Sequence, residues 1–268
     1  MKAVSAFFNF PLAYLVIRNT LFRGIEYRIH YWILIVSYFV SFFSDYLILK
    51  LSYASGRVSF LSQHEVFAFV FWGLVVRNSS TLWQEVMTFS TQIKTGEFRR
   101  FLLQPLRFSK FFAFSCTGEK AITWPLNVFA FIIVRIFFSS DVFAPHPYFW
   151  LLFLCSLIIT WTLYYTFTLV TFWIEDSHFL IASFNLSSGI FAGSYLPFDW
   201  LPDSLQSALR FTPFRLLGDI PIRAALGKLA AEEYYNSLMM AALWMLVLFS
   251  INAYLFSRGT LRYESHGG

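Results

Sequence analysis

The sequence predicts an all-α polytopic membrane protein with six transmembrane helices. Only 13% of its 268 residues are charged and 57% are hydrophobic, whereas soluble domains average about 25% charged residues. Because hydrocarbon offers the backbone no hydrogen bonds, only α-helices and closed β-barrels span a bilayer. The apolar runs are continuous and do not alternate with polar residues, so we expect helices rather than barrel strands.

Six runs come close to the roughly 20 apolar residues that a transmembrane helix needs. They cover residues 31–50, 65–88, 111–138, 147–174, 178–196 and 236–257. The third run begins with polar residues, so we expect its start to lie at the membrane interface. The sequence contains neither a low-complexity linker nor a convincing internal repeat, which indicates a single transmembrane domain over residues 1–268.

Lysine and arginine residues beside the spans predict the orientation of the chain, because cytosolic loops are enriched in them. With six spans, both termini share a side with the loop at residues 89–110. That side holds more Lys and Arg than the opposite one. We therefore expect residues 1–30, this loop and residues 258–268 to be cytosolic.

The N-terminal residues predict a helix that lies at the membrane interface. Pro11 interrupts the apolar start, and Arg18 follows without a small-residue cleavage site, which argues against a signal peptide. A helix over residues 11–28 would have one apolar face, with Arg18, Glu26 and Arg28 directed to water. A re-entrant or spanning first segment is the alternative.

The prolines of residues 197–235, before the sixth predicted span, indicate a set of short external helices. Proline breaks helices because it lacks an N–H donor and clashes with the preceding turn. The prolines are Pro197, Pro202, Pro213 and Pro221. Asp203 or Ser204 is suited to cap one helix and Asp219 to begin another, which Gly227 would end. We expect these helices to lie on, or dip into, the outer leaflet.

Arg77 and Asn78 fall near the middle of the second predicted span. An ionisable side chain at the middle of a bilayer is costly and suggests a functional site. Arg77 would line a path through the membrane or pair with a carboxylate of a partner helix. The alternative is that the span is shifted and Arg77 reaches an interface.

Gly189 and Gly193 have GxxxG spacing in the fifth predicted span. On a helix, this spacing places both glycines on one face and lets two helices approach closely. The pattern predicts a dimer seam, packing within the chain or a re-entrant bend.

A basic stretch, KTGEFRRFLLQPLRF, occupies residues 94–108 in the loop after the second predicted span. Thr95 suits a helix N-cap, Glu97 suits the first turn, and Pro105 would end the helix. The helix over residues 95–104 would carry an apolar stripe at i, i+3, i+4 spacing. The stripe consists of Phe98, Phe101 and Leu102. It must be buried against lipid headgroups, the rest of the chain or a cytosolic partner.

The sequence lacks the common motifs of nucleotide-binding and metal sites. The phosphate-binding pattern GxxxxGK[ST] does not occur, so ATP hydrolysis would need another chain. The five histidines are scattered, and neither HxxxH nor HExxH is present. Asp176 and His178 share a short turn that we interpret as a solvated loop. We therefore predict no metal site and no catalytic residue, and we interpret Cys116 and Cys155 as packed thiols.

The order of these parts resembles the membrane subunit of type-two ABC exporters, the six-span permeases encoded separately from their ATPase. Two motifs carry this resemblance, which covers nearly the whole chain. The first is GExxxxLLxP at Gly96–Pro105. The second follows the fifth span and consists of Gly193, Pro197, Leu201–Pro202, Pro213–Phe214, Pro221 and Gly227.

The resemblance implies that the basic stretch is a coupling helix that sits in a groove of the ATPase subunit. Its contact residues would be Thr95, Gly96, Glu97, Phe98, Arg99, Arg100, Phe101, Leu102 and Pro105. The short helices after the fifth span would close an extracellular gate. Its residues would be Pro197, Phe198, Pro202, Pro213, Phe214 and Pro221.

The resemblance also implies a set of partners. Two ATPase subunits would carry ATP and Mg, and this chain would hold no cofactor. A second permease chain, identical or different, would complete a dimer in a bacterial cytoplasmic membrane. Membrane lipid is a further expected partner, and nucleic acid is not.

Two other functions fit parts of the sequence. A polytopic enzyme that acts on lipid would use Asp176 and His178, or Asp199 and Asp203, as its catalytic groups. A structural or assembly factor would use the GxxxG face.

Overall fold

The computed structural model describes residues 10–26, 28–54, 62–104, 107–137, 145–174 and 177–263. Within these ranges all regular secondary structure is helical, which confirms the predicted all-α class. The helices are α1 (Phe10–Glu26), α2 (Arg28–Ala54), α3 (Gln63–Ser80), α4 (Trp83–Lys94), α5 (Arg99–Leu102), α6 (Phe108–Phe137), α7 (Tyr148–Val170), α8 (Ser177–Phe191), α9 (Asp203–Leu209), α10 (Phe214–Leu217), α11 (Asp219–Ala225) and α12 (Ala231–Arg262).

Four segments of the described chain are long and apolar enough to cross a membrane. They are Ile35–Ala54, Glu65–Lys94, Tyr148–Val170 and Ala231–Arg262. The third and fifth predicted spans correspond instead to the shorter apolar stretches Thr123–Ile136 and His178–Phe191. The polar first half of α6 and the early end of α8 account for the difference, so the number six stays a prediction.

The second predicted span is not one continuous helix. Its backbone leaves the helical conformation at Thr81 and Leu82, where ψ is 127° and 52°. The Thr81 hydroxyl donates to the Arg77 carbonyl at 2.9 Å, a side-chain bond that competes with the helix ladder. The Asn78 carbonyl accepts from Lys120 Nζ of α6 at 3.1 Å. A lysine donor thus satisfies a backbone carbonyl beside the interruption of this candidate span.

Helix α7 lies at the centre of the bundle. It packs against α3, α4, α6, α8, α10, α11 and α12. Large side chains along its length are fully buried, among them Leu152, Ile159, Tyr164 and Leu169. By contrast, α2 exposes apolar side chains along most of its length, including Trp32, Val40 and Leu51. Such a continuous apolar surface is typical of a lipid-facing helix rather than of a soluble protein.

The predicted N-terminal helix is present as α1, and it packs along α6. Val16 and Thr20 are buried, and a Cβ atom at Gly118 of α6 would lie 2.6 Å from the Thr20 Cβ. Tyr14 and Phe22 are exposed on the remaining surface. The helix therefore has one face in the bundle, in addition to the apolar face that the sequence predicts for lipid.

The prolines after α8 do divide residues 197–235 into short helices. Pro197 precedes a 3₁₀ turn, Pro202 precedes α9 and Pro213 precedes α10. Neither Asp203 nor Ser204 is the N-cap of α9; that position is Pro202. Pro221 lies inside the first turn of α11, where its missing N–H has no helical partner to lose. Gly227 follows α11 with a positive φ of 67°, as predicted for its end.

Helix α11 differs from the prediction of a surface cap. Ile220, Ile222, Ala224 and Ala225 are buried, and the helix packs on α7 and α3. Its sequence contains too many apolar residues for a helix with one face in water. Leu205 of α9 and Phe211, two residues after its end, keep an apolar surface open.

An ion-pair network holds this segment together around Asp219, which is 1% exposed. Its carboxylate accepts from Arg215 Nη2 at 2.8 Å and from Arg223 Nε at 2.7 Å. Arg223 also binds Asp199 at 2.7 Å, and Arg215 binds Glu233 of α12 at 3.1 Å. Burial disfavours the charged guanidinium of Arg223, but the Asp219 and Asp199 carboxylates outweigh it and raise the pKa of Arg223.

Replacing Asp219 with asparagine should lower stability by about 3 kcal/mol, because two arginines would lose their shared buried counter-charge. Asp199→Asn is the matched control. Asp199 is 41% exposed, so its loss should cost less than about 1 kcal/mol. Thermal unfolding of the purified variants in detergent measures both effects, and equal losses would contradict the central role of Asp219.

Replacing Gly259 with leucine should separate α12 from α7. Gly259 is buried, and any Cβ atom there would overlap the Phe172 ring. Overpacking of this kind costs about 1–3 kcal/mol. Ser257→Leu, on the exposed side of the same helix, should leave the unfolding temperature unchanged; a loss equal to that of Gly259→Leu would show that α12 does not depend on this close approach.

Candidate functional site

The basic stretch is mostly a turn, and the predicted helix over residues 95–104 is wrong in its length and start. Thr95 is the C-cap of α4, and its N–H donates to the Thr91 carbonyl at 2.9 Å. Gly96 then adopts a positive φ of 83°, which reverses the chain at low cost because glycine has no Cβ. Only Arg99–Leu102 forms a helical turn, α5. Pro105 lies outside the described residues.

The side chain of Phe98 is completely buried, with 0% exposure. Its ring centroid lies 4.8 Å from that of Phe108, 5.2 Å from Phe172 and 5.5 Å from Tyr263. These partners stand at the start of α6, after the end of α7 and after the end of α12. We call this group the aromatic cluster. Its members are Phe89, Phe98, Phe101, Phe108, Phe172 and Tyr263.

The rest of the chain therefore buries two residues of the predicted stripe. Phe101 is buried between Phe89 and Phe108, with centroid distances of 5.8 and 5.4 Å. Leu102, the third member, stays exposed. The sequence leaves three surroundings open for the stripe. The two phenylalanines are buried in one of them, the rest of the chain.

The exposed side of α5 combines positive charge with apolar surface. Arg99 and Arg100 are exposed, Leu102 is 45% exposed and Leu103 is 78% exposed. These four residues form what we call the exposed rim. The backbone N–H of Arg99 donates to the Tyr263 hydroxyl at 3.2 Å, so the rim is tied to the end of α12. Thr95 and Glu97 are also exposed beside it.

A second candidate site is a cavity of about 250 Å³ at the break between α3 and α4. Residues of α3, α4, α7 and α8 and of the turn after α8 line it. The polar and aromatic members of the wall include Arg77, Thr81, Trp83, Tyr164, Asn185 and Tyr195. The wall thus brings together polar groups from segments that are far apart in the sequence.

Arg77 is a wall residue of this cavity and is 13% exposed. Its Nη2 atom donates to Asp45 Oδ2 of α2 at 2.9 Å. Its guanidinium carbon lies 4.2 Å from the centroid of the Tyr195 ring, a distance typical of a cation–π contact. The Nη1 atom is buried and has no hydrogen-bond partner. Asn78, by contrast, does not line the cavity, and its carbonyl binds Lys120.

Three residues of this site are not predicted from the sequence. Asp45 looks like an interfacial acid in the first predicted span, and nothing in the sequence pairs it with Arg77. Tyr164 donates its hydroxyl hydrogen to Asn185 Oδ1 across the cavity wall. Of the three, only Asn185 is marked by a sequence pattern as a candidate site residue, because a lone amide within an apolar helix is costly unless it has a partner.

The GxxxG pair does not form a helical face. Helix α8 ends at Phe191, and Gly193 adopts a positive φ of 73° in the turn that follows. The Tyr195 ring folds back over Gly189, where any Cβ atom would overlap it. Close packing within the chain explains both glycines.

The predicted gate residues lie in the segment around the ion-pair network. Phe198 is buried, and the Arg215 guanidinium lies 4.8 Å from its ring centroid. The Phe214 ring packs 5.7 Å from that of Phe191. These contacts hold the segment against the end of α8, and the gating role itself stays a prediction.

Of the groups proposed for a lipid-acting enzyme, Asp199 is bound by Arg223, and Asp176 lies outside the described residues. Among the residues that the structure describes, no cluster of His, Cys, Asp and Glu is arranged to hold a metal ion. Cys116 and Cys155 are buried free thiols.

Comparison with known proteins identifies the family of the chain. No curated protein and no solved structure matches it. A family model described as ABC-2 family transporter protein matches residues 35–267. This range includes all four candidate spans, the basic stretch and the segment around Asp219. The chain is therefore an integral membrane protein of the ABC-2 transporter family, as its resemblance to type-two ABC permeases implied.

Proposed function

We infer that this chain is the permease subunit of an ATP-driven exporter. Two such chains, identical or different, would form the translocation path, and two separate ATPase subunits would carry ATP and Mg. The membrane would be a bacterial cytoplasmic membrane, with both termini in the cytosol. Membership in the ABC-2 family supports a transport subunit rather than an enzyme. The observation that carries the proposal is the exposed rim mounted on the buried aromatic cluster.

The exposed rim has the chemistry of a docking surface. Arginine presents a planar fork that binds carboxylates through two parallel hydrogen bonds. Arg99 and Arg100 supply two such groups on one short turn, and Leu102 and Leu103 supply apolar surface next to them. We propose that an acidic, partly apolar groove of the ATPase receives this turn.

The aromatic cluster would transmit a displacement of α5 to the long helices. Phe98 is in contact with aromatic residues at the ends of α6, α7 and α12. Protein interiors are close-packed and compress little, so displacement of this ring must displace its neighbours. Closure of the ATPase dimer would thus move three long helices together, which is how a local event becomes a switch between two packed states.

We propose that the break between α3 and α4 and the adjacent cavity form part of the path. Irregular backbone at membrane depth is tolerated where it lines a cavity or is buried in protein. Residues 197–235 close one end of the bundle through α11 and the ion-pair network. We propose that this end is extracellular and opens during transport.

Reversing the charge of the exposed rim should abolish binding of the ATPase. In the double variant Arg99→Glu and Arg100→Glu, the contact with an acidic groove becomes repulsive, and we expect co-purification of the ATPase from native membranes to fall about tenfold or more. Arg210→Glu, an exposed arginine in the segment after α9, is the matched control. Unchanged co-purification of the rim variant would contradict the proposed docking surface.

Truncating the buried anchor should separate docking from transmission. Phe98→Ala leaves the exposed rim intact, so the ATPase should still co-purify. Loss of the ring empties the middle of the aromatic cluster, and the ATP-dependent change in hydrogen exchange at residues 197–235 should disappear. Phe98→Leu, which keeps most of the volume, should retain part of that change even if the alanine variant folds poorly. A normal response in Phe98→Ala would show that α5 does not act through this ring.

A further inference from the structure

We propose that the cavity beside Arg77 binds an oxyanion, a phosphate or carboxylate group that forms the head of an amphiphilic cargo. That this ligand is transported rests on the proposed function. The binding chemistry itself depends only on the residues of the cavity wall.

The charges of the wall favour an anion. Arg77 is the only Lys or Arg among the described lining residues, and none of them is a carboxylate. Asp45 reaches the guanidinium from α2 without lining the cavity.

The unused hydrogen-bond donors at the wall also favour an oxyanion. Arg77 Nη1 and Asn185 Nδ2 are buried nitrogens with no acceptor. The Oδ1 atom of Asn185 already accepts from the Tyr164 hydroxyl, which directs the amide so that only its N–H groups remain unused. A buried donor without an acceptor is costly, and a ligand with two or more oxygens would satisfy both nitrogens.

Three hydroxyl groups of the wall do not alter this preference. Each donates to the backbone carbonyl four residues earlier, at 2.8–2.9 Å. The residues concerned are Ser80, Thr81 and Thr160. Since these hydrogens are already in use, the wall offers a ligand its strongest unused donors at Arg77 and Asn185.

The volume of the cavity limits the ligand to a headgroup. Sites that enclose a drug-sized molecule measure about 300–1,000 Å³, whereas this cavity measures about 250 Å³. Phe184, Ala192 and Leu217 form an apolar part of the wall, and α8 exposes Phe179 and Leu186 on its outer surface. An acyl tail would therefore extend from the cavity along apolar surface into lipid.

Asp45 makes the affinity for an oxyanion adjustable. It holds one edge of the Arg77 guanidinium in the absence of a ligand, so an incoming oxyanion competes with it for the same charge. Neutralising Asp45 should therefore tighten oxyanion binding, whereas a purely structural ion pair would respond only with lower stability.

Native mass spectrometry of the purified full chain in neutral maltoside detergent tests the proposal. The probes are dodecyl phosphate, dodecanoate, dodecyl glucoside and inorganic phosphate. We expect dodecyl phosphate or dodecanoate to bind about tenfold or more tightly than dodecyl glucoside, the ratio set by one charge-assisted hydrogen bond. Binding of the glucoside with equal affinity would overturn the oxyanion site, and equal binding of inorganic phosphate would overturn the amphiphilic ligand.

Three variants locate the site. Asn185→Asp keeps the acceptor for Tyr164 but replaces the free donor with a carboxylate, so oxyanion binding should fall about tenfold or more. Asp45→Asn should strengthen it several-fold. The double variant Asp45→Asn and Arg77→Gln removes both charges without leaving either one unpaired, and it should abolish the preference for oxyanions. Each variant is compared with Arg210→Gln, an exposed arginine away from the cavity, which should bind like the parent chain.

Oxyanion binding that is unaffected by Asn185→Asp and by Asp45→Asn would sink the assignment to this cavity. The assay contains no ATPase, so it is independent of the docking experiment. If the ATPase does not associate but these affinities change as expected, the exporter proposal fails and the oxyanion site remains. The reverse pair of results would leave the exporter and remove the site.

Discussion

The packing of one side chain, Phe98, ties the short helix α5 to the ends of three long helices. The ring is inaccessible to solvent and lies within 5.5 Å of aromatic partners that belong to three separate helix ends. Four residues of helical turn would not be stable alone, so α5 depends on the contacts behind it, which are Phe98, the buried Phe101 and the hydrogen bond from Arg99 to Tyr263. The exposed rim is consequently held in a fixed position by contacts on its opposite side.

The two candidate sites depend on different physics. The basic turn would act by shape, because a close-packed ring cannot move without its neighbours. The cavity would act by electrostatics, through Arg77, whose charge is balanced by Asp45 at 2.9 Å. Helix α4 connects them, because it begins at Trp83 in the cavity wall and ends at Lys94, next to the rim. A displacement of one end of this twelve-residue helix would reach the other.

Local patterns predicted much of this arrangement, and the failures have identifiable causes. The all-α class, the position of the basic turn and the proline-divided segment follow from composition and from short-range chemistry. The prediction of Thr95 as an N-cap is wrong because threonine is equally suitable before a glycine that ends a helix. Gly96 is such a glycine, as its positive φ shows. The contact between Arg77 and Asp45 joins two helices, and no pattern within either helix encodes it.

Lys120 has a consequence for how the protein enters the membrane. Its ammonium group satisfies the carbonyl of Asn78 at the interruption between α3 and α4, yet it makes the first half of α6 too polar to be read as a span, and only Thr123–Ile136 is apolar. We therefore expect α3 and α6 to settle in the membrane together, because each satisfies a polar group of the other.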